Sequence, residues 1–291
     1  MSELEKRLRQ LKPRVKDKTI RTYATSIRRL RKVSANLAYE PVSQYLKGLS
    51  VSNALNLLTA VIVLEGRERY GRLYDQFAED AFRARNSQQF TPAERENWTS
   101  SAEIKKAIER IRFEVQKHDL LAVRKHPPRK LRFLVQYLVL SFHAELQWRS
   151  DLPSVLVGRH RGKNYYFNGK FYLNQFKTAK FYRKLPAVFT PSRKLGKLLR
   201  QYLEVRAAQE MDHDYLLFNT KLKPINRNSY YKFLVATTRQ FAGKGFGASM
   251  IRHVYATEFL AKNPSLLEKQ NKIKDMMQLR VSRLESYARR D

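Results

Sequence analysis

"KNYYFNGKFYLNQF", Lys163 to Phe176, interrupts a chain that otherwise reads as helix. Two aromatic, β-prone runs flank Asn168-Gly169, the pair most strongly associated with a tight two-residue hairpin. Both central residues of such a turn need positive φ, which Asn and Gly tolerate best. After the short polar link "KTAK", the run "FYRKLPAVF" from Phe181 to Phe189 offers a further strand. The expected architecture is therefore mainly α with a small antiparallel β-sheet.

Helical periods lie on both sides of this sheet. Downstream come "SRKLGKLLRQYLEVRAAQ", "SYYKFLVATTRQFA" and "SMIRHVYATEFL", then "KIKDMMQLRVSRLESYARRD" as helix, turn, helix. Upstream, "FLVQYLVLSF" from Phe133 to Phe142 is about half a membrane span and reads as a buried helix. It follows the basic turn "RKHPPRKLR" and ends near "ELQWRSDLP". Ser100 and Glu103 make a capping-box pattern that opens a helix through about Val115. Before that, "NSQQFTPAERENWTS" is polar, holds a proline and lacks a clean period, which reads as a linker.

The first part of the chain is expected to be all-helical through about Arg85. Ile20, Tyr23, Ile27 and Leu30 follow a helical period, with Arg21, Arg28, Arg29 and Arg31 on other faces. In "SNALNLLTAVIVLEG" Ser52 can cap and Gly66 can stop a helix, and "YGRLYDQFAEDAFRAR" gives another. The expected division is a helical unit over 1–88, a linker over 89–101 and a second unit over 102–291.

Charge narrows the function. Lys and Arg number 58 against 26 Asp and Glu, a formal net charge of +32. Twelve of those cations fall in the first 32 residues, against three acids. Such a field attracts polyanions, nucleic acid first. The absence of cysteine excludes disulfides, thiolate chemistry and zinc fingers. The first 30 residues lack the apolar region of a secretory signal, so neither secretion nor membrane insertion is expected. The surface cations expected to meet DNA are Arg21, Arg28, Arg29, Arg31, Arg124, Lys125, Arg129, Lys130, Lys180, Arg280 and Arg283.

Four places could carry chemistry. Arg149 stands just beyond the buried helix, with Asp151 able to orient it; it is also what an ion-paired surface arginine looks like. Lys177 sits at the tip between two strands, where an ammonium can enter a groove, and Lys180 is equally placed. Arg252 and His253 follow the glycine-rich "FAGKGFGAS". Ser249 could cap that helix, and an arginine can fork onto phosphate oxygens. His253 also fits a buried histidine satisfied by a backbone carbonyl. Tyr287 has Arg280, Arg283, Arg289 and Arg290 near it in sequence, which would favour phosphate and a developing phenolate alike.

In this order the segments "WRSDL", "FKTAKFY", "SMIRHVYATEFL" and "MMQLRVSRLESY" resemble the tyrosine recombinase/integrase family, with the flavour of its large-virus or mobile-element members. The resemblance covers about residue 92 to the end well, and the helical N-terminal part loosely, as a DNA core-binding domain. It implies a catalytic set of Arg149, Lys177, Arg252 and Tyr287, with Ser249, His253 and Gln278 at the auxiliary positions. Two of these depart from the pattern: Ser249 stands where members usually place histidine, and Gln278 where they place His or Trp. The implied reaction is cleavage and rejoining of DNA through a 3′-phosphotyrosyl link, with no cofactor and no metal. Expected partners are double-stranded DNA and further copies of the chain, a tetramer on DNA; the expected location is the nucleus, a virion or another site of host DNA. The four residues after Tyr287 imply that subunit coupling through a C-terminal tail is weak or uses another surface. Three other readings remain: a DNA-binding protein on the same fold with impaired catalysis, a type IB topoisomerase-like enzyme, and an RNA-binding protein.

Overall fold

The computed structural model describes residues 2–176, 179, 185–275, 284–285 and 287–289. Of the expected site residues, Lys177, Lys180, Gln278, Arg280 and Arg283 lie outside the described residues. The chain divides into two compact units, Met1–Gln89 and Phe90–Asp291.

The first unit is helical: α1 (Glu3–Leu11), α2 (Asp17–Arg31), α3 (Tyr39–Lys47), α4 (Val51–Glu65) and α5 (Gly71–Asn86). α2 buries Ile20, Ala24, Ile27 and Leu30 and leaves its arginines in solvent. That stripe packs on α4, whose Ala54, Leu57, Leu58, Val61 and Leu64 are also buried. Gly66 ends α4 at φ 84, a conformation open to glycine and costly for a residue with a Cβ. The helix starts two residues earlier than a cap at Ser52 would place it: Ser50 is the N-cap, and its side chain makes no capping bond.

The second unit begins inside the stretch expected to be linker. There Thr91 and Glu94 form a complete capping box with Pro92 at the first helical position, and they start α6 (Pro92–Asn97). The stretch lacked a helical period because one and a half turns are too short to show one. α7 (Ser101–Lys117) opens at Ser100, whose hydroxyl accepts from Glu103 N. α7 packs on α8 (Pro128–Glu145), which is buried on most of its surface and anchors the core. No helix among the described residues is long and apolar enough to cross a membrane.

A four-stranded sheet follows: β1 (Val155–Val157), β2 (Asn164–Phe167), β3 (Lys170–Leu173) and β4 (Ala187–Phe189), in that order. The β2–β3 hairpin turns at Asn168 (φ 46) and Gly169 (φ 74), as the Asn-Gly pair predicts. Across it Tyr165 stacks on Tyr172 with ring centres 4.8 Å apart. The sheet is mixed and not purely antiparallel, because β1 runs parallel to β2. Six residues make that return, helped by Gly158 (φ 92) and Gly162 (φ 73). A three-residue strand has no periodicity from which its direction could be read. The unit is completed by α9 (Arg193–Ala207), α10 (Arg227–Ala242), α11 (Ala248–Leu260) and α12 (Leu266–Asp275). α10 and α11 both pack on α7 and α8.

Candidate active site

Trp148 fixes the position of Arg149. Its indole is fully buried and lies edge-on to Phe142 of α8, Phe171 of β3 and Phe189 of β4, with ring centres 4.8, 5.3 and 5.0 Å away. The next residue in the chain is thereby held at the seam between helix and sheet, half-buried. Asp151, two residues on, is buried. Burial pushes its carboxyl above the usual range, while Arg227, Arg149 and Arg252 pull it back.

Arg252 lies in the second turn of α11 and is 1% exposed. Burial lowers its guanidinium to about 10, and Arg149 adds to that; Tyr287 and Asp151 oppose it. It is still a cation at neutral pH. Ser249, expected to cap α11, does not: Gly247 is the N-cap, and Ser249 is exposed inside the first turn. Gly247 itself passes so close to Tyr231 that a Cβ there would stand 2.9 Å from its ring.

Tyr287 brings these pieces together. Its hydroxyl accepts from Arg252 Nη1 at 3.0 Å and from Arg149 Nη2 at 3.4 Å. The Arg252 guanidinium carbon lies 5.0 Å from the centre of the Tyr287 ring. His253 Nδ1 donates to the Tyr287 carbonyl at 2.7 Å, so this histidine holds the tyrosine backbone, the carbonyl-satisfied form its sequence context allowed. Burial lowers the His253 imidazole, the bond to that carbonyl raises it, and Arg289 lowers it further. Two guanidinium groups on one phenolic oxygen help that oxygen carry negative charge, and they would do the same for phosphate oxygens.

Sequence reasoning missed the layer beneath this pocket. His143 of α8 is fully buried, and its Nε2 lies 2.6 Å from the Tyr230 hydroxyl of α10. Burial, with some help from Arg252, lowers His143 to about 3, so it is neutral. Glu94 was missed too, although its capping-box spacing from Thr91 was a readable signal. Among the described residues no group of three or more His, Asp or Glu could hold a metal ion.

The expected DNA-facing cations that the structure describes are all exposed: Arg21, Arg28, Arg29 and Arg31 on α2, and Arg124, Lys125, Arg129 and Lys130 around the start of α8. Several have local partners. Arg29 Nε donates to Tyr45 at 2.7 Å, and Lys125 pairs with Glu210 at 2.7 Å.

No family model matches the sequence, and neither does any curated protein. Among solved structures the chain is similar to the XerH site-specific recombinase bound to its difH substrate in a pre-cleavage complex. That likeness has 17% identity and a TM-score of 0.54, and it covers 93% of this chain and 77% of the other. It is also similar to XerH on a palindromic difH substrate in a post-cleavage complex, at 18% identity and a TM-score of 0.56, over 92% and 75% of the two chains. Most of the chain therefore has the tyrosine recombinase fold, a helical N-terminal unit followed by a mainly helical unit with a small sheet.

Proposed function

We propose that the chain is a site-specific DNA recombinase or integrase that uses Tyr287 as its nucleophile. The observation that carries this reading is the convergence of Arg149 and Arg252 on the Tyr287 hydroxyl, at 3.4 and 3.0 Å. A buried guanidinium is costly unless an anion answers it. Two guanidinium groups converging on one oxygen suit a phosphodiester.

In the proposed reaction the Tyr287 oxygen attacks phosphorus and the bond to the 5′-oxygen breaks. The products are a 3′-phosphotyrosyl link and a free 5′-hydroxyl. The phenolic proton leaves to solvent, and the leaving oxygen takes one from Lys177, the residue the family resemblance puts in that role. A partner strand's 5′-hydroxyl reverses the step. The count of phosphorus–oxygen bonds is unchanged, so no nucleotide is consumed. Arg149 and Arg252 hold the non-bridging oxygens, where negative charge grows in the transition state. His253 contributes by fixing the Tyr287 backbone, and Gln278 by a hydrogen bond to phosphate. The exposed arginines of α2 and the cations near α8 bind the duplex backbone, and the working assembly is a homotetramer on DNA wherever the target DNA resides.

A nicked suicide duplex tests the reading. The expected result is a covalent protein–DNA adduct that mass spectrometry maps to Tyr287 and that Tyr287→Phe lacks. A binding protein without catalysis is the second reading. Ser249 favours it, since it is exposed and occupies the place where the family resemblance would put a histidine. A chain that binds the duplex tightly and forms no adduct would establish that alternative.

A further inference from the structure

We infer that Glu94, at the start of the second unit, is a positioning residue for strand cleavage: through Arg289 and His253 it holds the backbone of Tyr287 in the arginine pocket. This rests on the reading of Tyr287 as nucleophile. The two oxygens of Glu94 divide their work. Oε2 closes the α6 capping box, accepting from Thr91 N and Oγ1, each at 3.0 Å. Oε1 takes the Arg289 guanidinium, at 2.7 Å from Nη2 and 3.2 Å from Nε. Both side chains are largely buried, at 18% and 13% exposure.

Arg289 Nη2 also lies 3.3 Å from His253 Nε2. A carbonyl can only accept, so the bond from His253 Nδ1 to the Tyr287 oxygen places the ring proton on Nδ1. Nε2 then presents a lone pair to the guanidinium. Arg289 thus selects the histidine tautomer that grips Tyr287, and Glu94 holds Arg289 where it can do so. The tail backbone is held as well: Tyr287 N donates to Leu284 O at 3.0 Å, and Arg289 N to Thr257 Oγ1 at 2.9 Å.

Charge makes the carboxylate necessary. Arg289 stands beside His253, and Arg252 lies close behind it. Burial would push the Glu94 carboxyl up, yet the bonds from Arg289 and Thr91 hold it down to about 2. Arg289 Nη1 also donates to Ala288 O at 3.2 Å, whereas the bonds from Nη2 and Nε to Glu94 aim the guanidinium edge that faces His253. When the Glu94 charge is removed Nη2 shifts, Nε2 is held less firmly, and the other imidazole tautomer becomes accessible. Displacing a reacting group by about 1 Å can cost on the order of 100-fold in rate.

The test uses the full chain with Glu94→Gln, Arg289→Gln and the double substitution. Gln at position 94 keeps the capping box and removes the charge. Single-turnover adduct formation is followed on the nicked duplex at saturating DNA, and DNA affinity is measured separately. The expected result is a 10- to 100-fold slower adduct in each single variant, with affinity changed less than twofold. The double variant should be no slower than the slower single one, because the two residues act as one unit. Without DNA, chymotrypsin should cut after Tyr287 faster in Glu94→Gln than in the wild type. An adduct that maps to Tyr287 and forms at the wild-type rate in Glu94→Gln overturns this role and leaves the nucleophile assignment standing. Multiplying losses in the double variant, or a parallel loss of DNA affinity, also overturn it. A wild-type chain with no adduct at Tyr287 removes both.

Discussion

The arginines of α2 in the first unit and Arg252 in the second are placed in opposite ways. Arg21, Arg28, Arg29 and Arg31 point into solvent from α2, and the helix folds because Ile20, Ala24, Ile27 and Leu30 are buried on its other side. Arg252 is 1% exposed and sits in a helix that buries Ile251 and Val254 as well. An exposed guanidinium costs folding little and contributes a general attraction to phosphate that salt screens. A buried one gives up hydration, and hydrogen-bonding or anionic partners must offset the loss. The first arrangement suits affinity for any duplex, and the second suits one phosphate held in one place.

The largest expected effects fall on the buried side of this comparison. Tyr287→Phe should abolish the covalent adduct, as measured on the nicked duplex, and leave binding intact. Arg252→Ala should slow adduct formation by about 10²- to 10³-fold, the range for losing a preorganised donor at a developing charge. Arg149→Ala should also be severe. It should cost less than Arg252→Ala, because water can partly replace a half-buried group. Arg252→Lys should remain well below wild type, since an ammonium keeps the charge and loses the fork. Duplex affinity in all three arginine variants should stay within about threefold of wild type, because the many surface contacts carry it. If Arg252→Ala lost affinity and kept its cleavage rate at saturating DNA, the division between the two kinds of arginine would collapse.

The same contrast explains what could be read in advance. Asn168-Gly169 is a local signal, and the hairpin turns there. The period of α2 is local too, so its exposed arginines were legible. The seam that seats Arg149 joins Trp148 to Phe142, Phe171 and Phe189, residues spread over 48 positions of sequence, and no periodicity reports it. Order and spacing named Arg149, Arg252 and Tyr287 through a family resemblance. That they meet at one phenolic oxygen depends on how α11 packs against α7 and α8. Ser249 misled because a serine near a helix start suggests a cap, whereas α11 already begins at Ala248 with Gly247 as its N-cap. The spacing of Glu94 from Thr91 is a local capping signal, but its pairing with Arg289 is not legible, because the two stand 195 residues apart.

His143 sharpens the comparison, since it is as buried as Arg252 and resolves its charge differently. Arg252 stays ionised at about 10, while His143 is lowered to about 3 and stays neutral. Above pH 6.5 the imidazole is neutral in folded and unfolded chains alike, and it contributes no pH dependence. Between 6.5 and 3 the unfolded chain takes up a proton that the folded chain refuses. Stability therefore falls as pH falls through that window, by about 1.4 kcal/mol per unit. At pH 5 the loss should be on the order of 2 kcal/mol. Denaturant unfolding of wild type and His143→Gln at pH 7 and pH 5 isolates it, because titrations common to both proteins cancel in the difference. Tyr230 and Arg252 act on the His143 ring, and neither changes charge in this range. Equal pH dependence in the two proteins would mean that His143 is protonated in the fold.

The smallest effects belong to α2. If Arg21 and Arg31 each neutralise one phosphate, replacing either with alanine should weaken duplex binding only a few-fold near physiological salt. The sharper signature is the salt dependence. Each lost contact should lower the slope of log affinity against log salt by about 0.9, irrespective of DNA sequence. If these side chains serve binding alone, adduct formation at saturating DNA should not change. Arg29 should show a smaller change in slope than Arg21, since its guanidinium is already engaged by Tyr45, through a 2.7 Å hydrogen bond and a ring contact at 5.6 Å. Arg28 should behave like Arg29, with Ser2 at 2.8 Å and Glu5 at 3.8 Å already beside it. A full-sized slope change at all four positions would mean that DNA displaces those partners. No slope change at any of them would place the duplex on another face of this unit.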